Sequence, residues 1–188
     1  MSAVQETIKY LGHIISEEGI AVDPEKISCV KNWPIPKSVT EVQKFIGFTS
    51  FYRRFVKDFA KIARPLHLVT QGGTHYQTRT KTKVRYPPLE WGTDQQKAFD
   101  RLKEACCSTP IFGFADYTKT FILHTDASTE GIGAVLHQEE DGVKRAIAYA
   151  SRGLSKSERN YPIHKLECLA LKWAVTEKFH DYLMVMNL

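Results

Sequence analysis

Apolar and polar positions alternate in short runs at the start of the chain. Residues 8–22 contain two such runs on either side of the polar sequence at residues 17–19, which predicts a β-hairpin with its tip there. Because an isolated hairpin is marginally stable in water, we expect this one to pack on another element. Residues 23–34 then predict a short helix, which Asp23 caps and Pro34 ends.

The helical spacing of apolar residues is strongest within residues 38–70. Ser38 and Glu41 fit a capping box, and the apolar positions that follow recur every three or four residues on two adjacent faces. A helix that is apolar over most of its surface packs on two sides, and Gly47 is the expected point for a bend or a break. The remaining polar stripe is basic and consists of Arg53, Arg54, Lys57, Lys61 and Arg64.

Residues 70–88 have no apolar periodicity and are rich in glycine, proline and basic side chains. This composition predicts a flexible, charged linker and a domain boundary. The alternative, a long ordered loop, is less favoured because nothing in the segment would anchor it. The expected units are residues 1–22, residues 23–71, the linker at 72–90, and residues 91–188.

Beyond the linker, one predicted helix precedes three strand-like runs. Thr93 and Gln96 fit a second capping box, and Pro110 ends the helix that they begin. The dipeptide at 141–142, Asp-Gly, is a hairpin-turn sequence. The strand-like runs are residues 120–127, 132–138 and 145–151.

A final helix is predicted over residues 162–183, and the apolar sequence LMVMNL at 183–188 is expected to belong to a further strand that is cut short. The order of elements indicates an α+β fold. It consists of a small β-hairpin with helices, a linker, and a mixed sheet of three antiparallel strands with one helix. The buried face of the final helix is expected to carry Leu166, Leu169, Ala170, Trp173 and Phe179.

Positive charge is concentrated in the first half of the chain. Between Pro24 and Pro88 there are 13 Lys and Arg residues against 3 Asp and Glu residues, whereas residues 89–188 contain 12 against 14. A basic half beside a nearly neutral half favours a polyanionic partner, and nucleic acid is the expected one. An ordinary solvated surface is the alternative.

The four cysteines show no CxxC pair and no zinc-ribbon spacing, so reduced thiols of an intracellular protein are expected. His164 and Cys168 lie one helical turn apart, but two ligands without a second pair favour ordinary core or surface roles over a metal site. No signal peptide and no membrane span is predicted, so we expect no membrane partner. The sequence leaves the compartment, cytoplasm or nucleus, and the oligomeric state open.

Two acidic residues of the second half are candidates for chemistry. Asp126 lies near the end of the first predicted strand of that half, and Glu167 lies in the middle of the last helix. If that helix packs across the sheet, both carboxylates reach one point. Carboxylate oxygens there would bind Mg²⁺, and paired Mg²⁺ ions hydrolyse phosphodiesters. On the residues alone, a turn cap for Asp126 and a solvated position for Glu167 are the favoured alternatives.

Longer stretches add a family resemblance. The sequences HTDASTEGIGAVLHQ and AIAYASRGLSKSERNYPIHKLECLALKWAV resemble the RNase H domain of gypsy-type LTR retrotransposon Pol polyproteins. The stretch from YLGHIISEEGIAVDPEKIS to FYRRFVKDFAKIARPLHLV resembles the end of the palm and the thumb of the reverse transcriptase of that family. The resemblance covers nearly the whole chain in family order. Only QGGTHYQTRTKTKVRY is unlike the usual short connection.

The resemblance implies RNA-directed DNA synthesis and Mg²⁺-dependent hydrolysis of RNA in RNA–DNA hybrids. Asp126 and Glu167 correspond to the first two metal-binding acids of RNase H, with Mg²⁺ as the cofactor. Residues 38–70 correspond to the thumb, whose basic stripe would contact phosphates of a template–primer duplex or a hybrid. The primer-grip hairpin corresponds to Tyr10, Leu11, Gly12 and His13.

The chain also departs from the family pattern. It has no Y-x-D-D sequence, and the third and fourth RNase H acids are expected in elements beyond Leu188. Asp181 lies within the last predicted helix and does not take their place. Because two acids leave much of the charge of two Mg²⁺ ions uncompensated, we expect little activity from this chain alone. A non-catalytic RNA- or DNA-binding module from a co-opted or decayed retroelement, and a product without a stable fold, are the alternatives.

Overall fold

The computed structural model of the chain describes residues 7–77, 82–140 and 142–184. Some predicted features lie outside these residues: Asp141 of the predicted turn, residues 185–188 of the predicted final strand, and parts of the first unit and the linker. The strands are β1 (Thr7–Tyr10), β2 (His13–Ser16), β3 (Gly19–Val22), β4 (Thr74–Gln77), β5 (Thr82–Arg85), β6 (Phe121–Ala127), β7 (Gly131–Glu140) and β8 (Val143–Gly153). The α-helices are α1 (Pro24–Lys31), α2 (Val39–Phe51), α3 (Phe59–Val69), α4 (Thr93–Cys107), α5 (Ile163–Trp173) and α6 (His180–Met184).

The first sheet is an antiparallel meander in the order β1-β2-β3. The predicted hairpin tip is confirmed, because Ser16 pairs with Gly19 at the turn between β2 and β3. The sheet has one strand more than predicted. All four residues of β1 are exposed, so no buried face marks this strand in the sequence. A tight turn at Leu11 and Gly12, both with positive φ, joins β1 to β2.

The first two helices begin where their caps predict. The Asp23 side chain accepts a hydrogen bond from the backbone N–H of Glu25 at 3.0 Å, and Pro24 occupies the first turn of α1. Ser38 Oγ accepts from the backbone N–H of Glu41 at 3.3 Å at the start of α2. Both predicted caps are confirmed.

The single long helix predicted over residues 38–70 is wrong, because a short 3₁₀ turn at Arg53–Phe55 separates α2 from α3. Gly47 lies inside α2, so the expected break at that position is wrong too. The true break places neighbouring residues in different cores. Phe55 packs with Phe112, whereas Val56 belongs to the core formed by the helices. A continuous helix would turn Val56 only 100° from Phe55 and could not supply both cores in this way.

The predicted flexible linker contains a second antiparallel pair, β4 with β5. The sequences THYQ and TKVR contain residues that favour strands, although they form no apolar face that periodicity would reveal. After this pair, the hydroxyl of Tyr86 accepts a hydrogen bond from Gln43 Nε2 of α2 at 2.8 Å.

Helix α4 begins one residue earlier than predicted and packs with α1, α2 and α3. Its N-cap is Gly92, whose backbone N–H donates to Gln95 Oε1 at 3.0 Å, so the predicted pairing of Thr93 with Gln96 is wrong. Gln96 instead accepts from the indole N–H of Trp91 at 2.9 Å. The helix presents its apolar stripe to the helices before it, and the rings of Phe99 and Phe45 are 4.6 Å apart.

The second sheet is antiparallel in the order β6-β7-β8, and its three strands confirm the predicted runs. The turn between β7 and β8 includes Gly142 with a φ of +76°. Helix α5 covers one face of this sheet and buries the predicted Leu166, Ala170 and Trp173, with Leu169 partly buried.

The last predicted helix is divided, because a π-helical turn at Ala174–Lys178 lies between α5 and α6. Leu183 and Met184 belong to α6, so the strand predicted from residue 183 is wrong over the described part. Phe179 is buried and Leu183 packs against the same core, which keeps the chain helical here. Within the described ranges, no helix combines the length and the apolar character that crossing a membrane requires.

We expect Phe99→Ala to destabilise the whole N-terminal helical core and not only α4. Phe99 is 1% exposed and belongs to a core that contains residues of α1, α2, α3 and α4. Loss of a buried phenylalanine costs about 3–5 kcal/mol. Urea unfolding followed by circular dichroism measures the change. The exposed Glu104→Ala on the same helix is the matched control and should leave the unfolding midpoint nearly unchanged. Equal midpoints for both variants would contradict the shared core.

Candidate nucleic-acid and metal site

The position of Asp126 follows from the register of the second sheet. Asp126 pairs with Gly133 on β7, and Gly133 pairs with Ser151 on β8. Residues paired directly across antiparallel strands point to the same face. Ser151 Oγ accepts a hydrogen bond from the backbone N–H of Ala60 at 3.0 Å, so this row faces α3. We call this side of the second sheet the α3 face.

The next row points the other way. Ala127 pairs with Ile132, which pairs with Arg152, and the Arg152 guanidinium lies 5.7 Å from the centre of the Trp173 ring of α5. This side is the α5 face. Glu167 is exposed on α5. The Asp126 side chain therefore lies on the α3 face, whereas Glu167 belongs to the helix that covers the α5 face. Their convergence stays a prediction.

Asp126 is one of the residues that line a pocket of about 100 Å³ on the α3 face. We call it the Asp126 pocket. Burial, with the nearby Asp58 carboxylate second, raises the pKa of Tyr149 above its ordinary value, so this hydroxyl stays protonated at neutral pH. Its lining includes Lys57, Asp58, His124, Asp126, Gly133 and Tyr149.

Two histidines lie side by side on the same face. The rings of His124 and His137 are 5.4 Å apart in an edge-to-face arrangement. Burial is the main cause that lowers the pKa of His137, followed by the charges of His124, Lys144 and Lys57. A neutral His137 adds no positive charge to this face at neutral pH.

Asp58 is a site residue that the sequence analysis missed. It has a left-handed backbone with a φ of +56° between the 3₁₀ turn and α3. A Cβ atom placed on Gly133 would lie 3.4 Å from Asp58 Oδ1, so the carboxylate lies beside the row that contains Asp126. The sequence did offer a signal, because Asp58 is the only acidic residue between Glu41 and Glu90.

The arginines of the predicted basic stripe make contacts within the protein. Arg53 Nη2 donates to the backbone carbonyl of Ser151 at 2.5 Å, and Arg64 forms a salt bridge with Glu130 before β7. The guanidinium of Arg54 lies 5.4 Å from the ring centre of Phe55. The contacts of Arg53 and Arg64 attach the 3₁₀ turn and α3 to the second sheet, whereas that of Arg54 lies within the turn. The five residues do not lie along one continuous helix, and their contact with nucleic acid stays a prediction.

The two lysines of the stripe remain at the surface. Both Lys57 and Lys61 are exposed, and they lie in two different depressions of the surface. Lys57 lines the Asp126 pocket, whereas Lys61 lines a groove between α3 and α4.

The predicted primer-grip residues divide into two exposed and two anchored positions. Tyr10 and Leu11 are 62% and 71% exposed at the turn of the first sheet. The Gly12 carbonyl accepts from the backbone N–H of Asp23 at 3.1 Å. The His13 ring stacks on Phe51 with centroids 5.3 Å apart. Burial, then the charge of Arg54, lowers the pKa of His13, which favours the uncharged ring.

The chemistry of the donors suits a hard cation only in part. Exposed carboxylates such as Asp126 and Glu167 supply the oxygen ligands that Mg²⁺ prefers. Across the residues that the structure describes, however, no group of three or more His, Cys, Asp or Glu side chains could hold a metal. His164 and Cys168 are both exposed on α5 and belong to no such group. Water or nucleic-acid oxygens would have to complete a shell at residues 126 and 167.

Residues 91–187 match the family model described as the RNase H-like domain found in reverse transcriptase. The chain belongs to this family. The Retrovirus-related Pol polyprotein from transposon opus of Drosophila melanogaster is 40% identical over 169 residues, which are 89% of this chain and 17% of that protein. The polyprotein from transposon gypsy of the same organism is 40% identical over 172 residues, 91% of this chain and 16% of that protein. The resemblance found in the sequence is confirmed.

Solved reverse-transcriptase structures show the same fold. The foamy viral protease-reverse transcriptase in complex with RNA/DNA hybrid has a TM-score of 0.73 at 19% identity, covering 94% of this chain and 22% of that one. The complex of the same enzyme with dsDNA gives 0.75 at 18% identity, covering 95% and 35%. The predicted α+β fold class is confirmed. The chain spans less than a fifth of the length of the polyproteins that it matches.

We expect Ser151→Ala to loosen the attachment of α3 to the second sheet. Ser151 is 5% exposed, and its loss leaves the Ala60 N–H without its acceptor, which costs about 1–3 kcal/mol. Urea unfolding measures the stability, and hydrogen exchange at Ala60 measures the local opening. Ser157→Ala, at an exposed serine, is the matched control. Unchanged exchange at Ala60 in Ser151→Ala would show that this contact does not fix α3.

Proposed function

We propose that this chain is a nucleic-acid-binding part of a retroelement reverse transcriptase and ribonuclease H. Its ligand is an RNA–DNA hybrid or a template–primer duplex. The observation that carries the proposal is that the exposed Lys57 lines the same pocket as Asp126. A cation that can bind phosphate, placed beside a candidate metal carboxylate, suits phosphodiester hydrolysis.

The lysines and the arginines of the basic stripe have different roles in this proposal. Lys57 and Lys61 bind backbone phosphates, which positions a duplex without reading its sequence. Arg53 and Arg64 hold α3 on the second sheet and so keep the two lysines in place. Tyr10 and Leu11 offer an exposed aromatic and apolar turn to the terminus of a primer strand. The similar foamy viral protease-reverse transcriptase forms complexes with dsDNA and with RNA/DNA hybrid, which supports this class of ligand.

Asp126 and Glu167 are the residues that would hold Mg²⁺. When bound there, the ion would polarise a phosphate oxygen and lower the pKa of a bound water. Lys57 would orient the phosphate next to Asp126, and the protonated Tyr149 can donate a hydrogen bond within the same pocket. We propose that hydrolysis by this chain alone is slow, because two carboxylates compensate the charge of two ions poorly.

A second candidate function is a binding module without catalysis. The observation that favours it is the lack, within the described residues, of any group of three metal-binding side chains. In this case the chain holds duplex through its lysines, and Asp126 has no chemical role. DNA synthesis is not assigned to this chain, since its sequence contains no pair of adjacent aspartates.

Binding to a labelled RNA–DNA hybrid tests the phosphate contacts. We expect affinity to fall steeply between 50 and 200 mM salt, and Lys57→Gln with Lys61→Gln to reduce the slope of log K against log salt by about 2. Fluorescence anisotropy of the hybrid measures both. The matched control removes two exposed charges elsewhere, Lys156→Gln with Lys172→Gln, and should keep the slope of the unmodified chain. An affinity for the hybrid that does not change with salt concentration would refute binding through phosphates.

Cleavage of the same hybrid separates the two candidate functions. Product is measured on a denaturing gel with Mg²⁺ and with EDTA. For the first function we expect slow Mg²⁺-dependent cleavage, which Asp126→Asn and Glu167→Gln each reduce to background without weakening binding. Cleavage indistinguishable from the EDTA sample would leave the binding module as the function. Cleavage that survives both substitutions would show that these carboxylates hold no catalytic ion.

A further inference from the structure

A groove of about 460 Å³ lies between α3 and α4. We call it the α3–α4 groove. Its walls carry four cationic and two acidic side chains, and one of each is already paired, since Arg64 forms its salt bridge with Glu130. The charged residues that line it are Lys61, Arg64, Asp94, Lys97, Arg101 and Glu130.

The charges that remain in the groove are mainly positive. Within the part of the chain that the structure describes, no salt bridge engages Lys61, Lys97 or Arg101. All three are exposed, and among the residues that line the groove Asp94 is the only acid that is not paired with Arg64. Three cations against one carboxylate favour an anionic ligand in this groove.

The two cations of α4 are placed to act together. Lys97 and Arg101 are four residues apart, so they project from the same side of the helix about one turn from each other. The helix itself is fixed, because the adjacent Ala98 and Phe99 are buried in the helical core. Cations on a rigid helix lose little backbone freedom when they bind a phosphate.

The groove and the Asp126 pocket each contain one lysine from the same short stretch of chain. Lys61 belongs to the groove and Lys57 to the pocket, and they are only four residues apart. Lys57 and Lys61 therefore place one cation at the Asp126 pocket and one in the groove that Lys97 and Arg101 of α4 also line.

We propose that the α3–α4 groove is a binding site for the phosphate backbone of a nucleic-acid duplex, with Lys97 and Arg101 of α4 as its contacts. This inference rests on the proposed function and extends it, because it assigns a nucleic-acid role to a helix outside the basic half of the sequence. A duplex whose backbone lies in this groove continues past Lys61 to the Asp126 pocket. The ammonium of Lys97 contacts phosphate as a point charge, and the guanidinium fork of Arg101 can bind two phosphate oxygens.

The test compares pairs of substitutions in the full chain. Lys97→Gln with Arg101→Gln removes the two charges of α4, Lys97→Arg with Arg101→Lys exchanges them without loss of charge, and Lys156→Gln with Lys172→Gln removes two charges elsewhere. Anisotropy of a labelled RNA–DNA hybrid is recorded between 50 and 200 mM salt. We expect only the first pair to reduce the slope of log K against log salt by about 2. Its loss of affinity relative to the unmodified chain should therefore be about tenfold smaller at 200 mM salt than at 50 mM.

The outcomes separate the inference from the function on which it rests. If the unmodified chain binds hybrid with a steep salt dependence and the neutralised α4 pair behaves like the Lys156 and Lys172 control, the inference is overturned and the proposed function stands. If the unmodified chain shows no salt-dependent binding, both are overturned. Urea midpoints report folding. If the charge-exchanged pair also loses the slope while its midpoint is unchanged, positive charge at these positions is not what binds, and the inference fails.

Discussion

The buried side chain of Phe112 is the contact on which the arrangement of the molecule depends. Its ring lies 4.8 Å from that of Phe55 in the 3₁₀ turn and 5.3 Å from that of Tyr149 in the second sheet. Its backbone pairs with Ile20 of the first sheet through hydrogen bonds of 2.8 and 2.9 Å. Gly19 permits this approach, because a Cβ there would lie 2.0 Å from the Phe112 carbonyl oxygen. One residue thus joins both three-stranded sheets to the helices.

The position of the 3₁₀ turn then determines how the basic residues are used. Since Phe55 is fixed on Phe112, Arg53 lies close enough to Ser151 to bind its carbonyl, and the lysines on either side of Asp58 remain exposed. The guanidinium group makes several directed hydrogen bonds and is well suited to such internal contacts, whereas an ammonium on a flexible stem is readily solvated. The same stretch of sequence therefore supplies both an internal attachment and a surface for a polyanion.

Much of the fold could be predicted from local patterns. The caps at Asp23 and Ser38 and the three strands of the second sheet are as the sequence indicates, because capping and alternation depend on residues only a few positions apart. The break after α2 was not predictable in this way, because it arises where residues adjacent in the sequence pack into two separate cores. The packing of α4 in the helical core could not be predicted from the sequence for a similar reason. Its apolar stripe indicates burial but not the partner that buries it.

By itself, the sequence determined that an acid stands near the end of β6, that basic residues follow α2, and that the chain resembles reverse transcriptases with an RNase H domain. Only the tertiary structure decided that Asp126 shares a pocket with Lys57 and Asp58, that the helix carrying Glu167 covers the other face of the sheet, and that α4 lines the groove with α3. The backbone fixes the period of a strand or helix locally. Which faces of the helices and sheets meet depends on packing between residues that are distant in the chain. Those contacts cannot be predicted from a local sequence pattern.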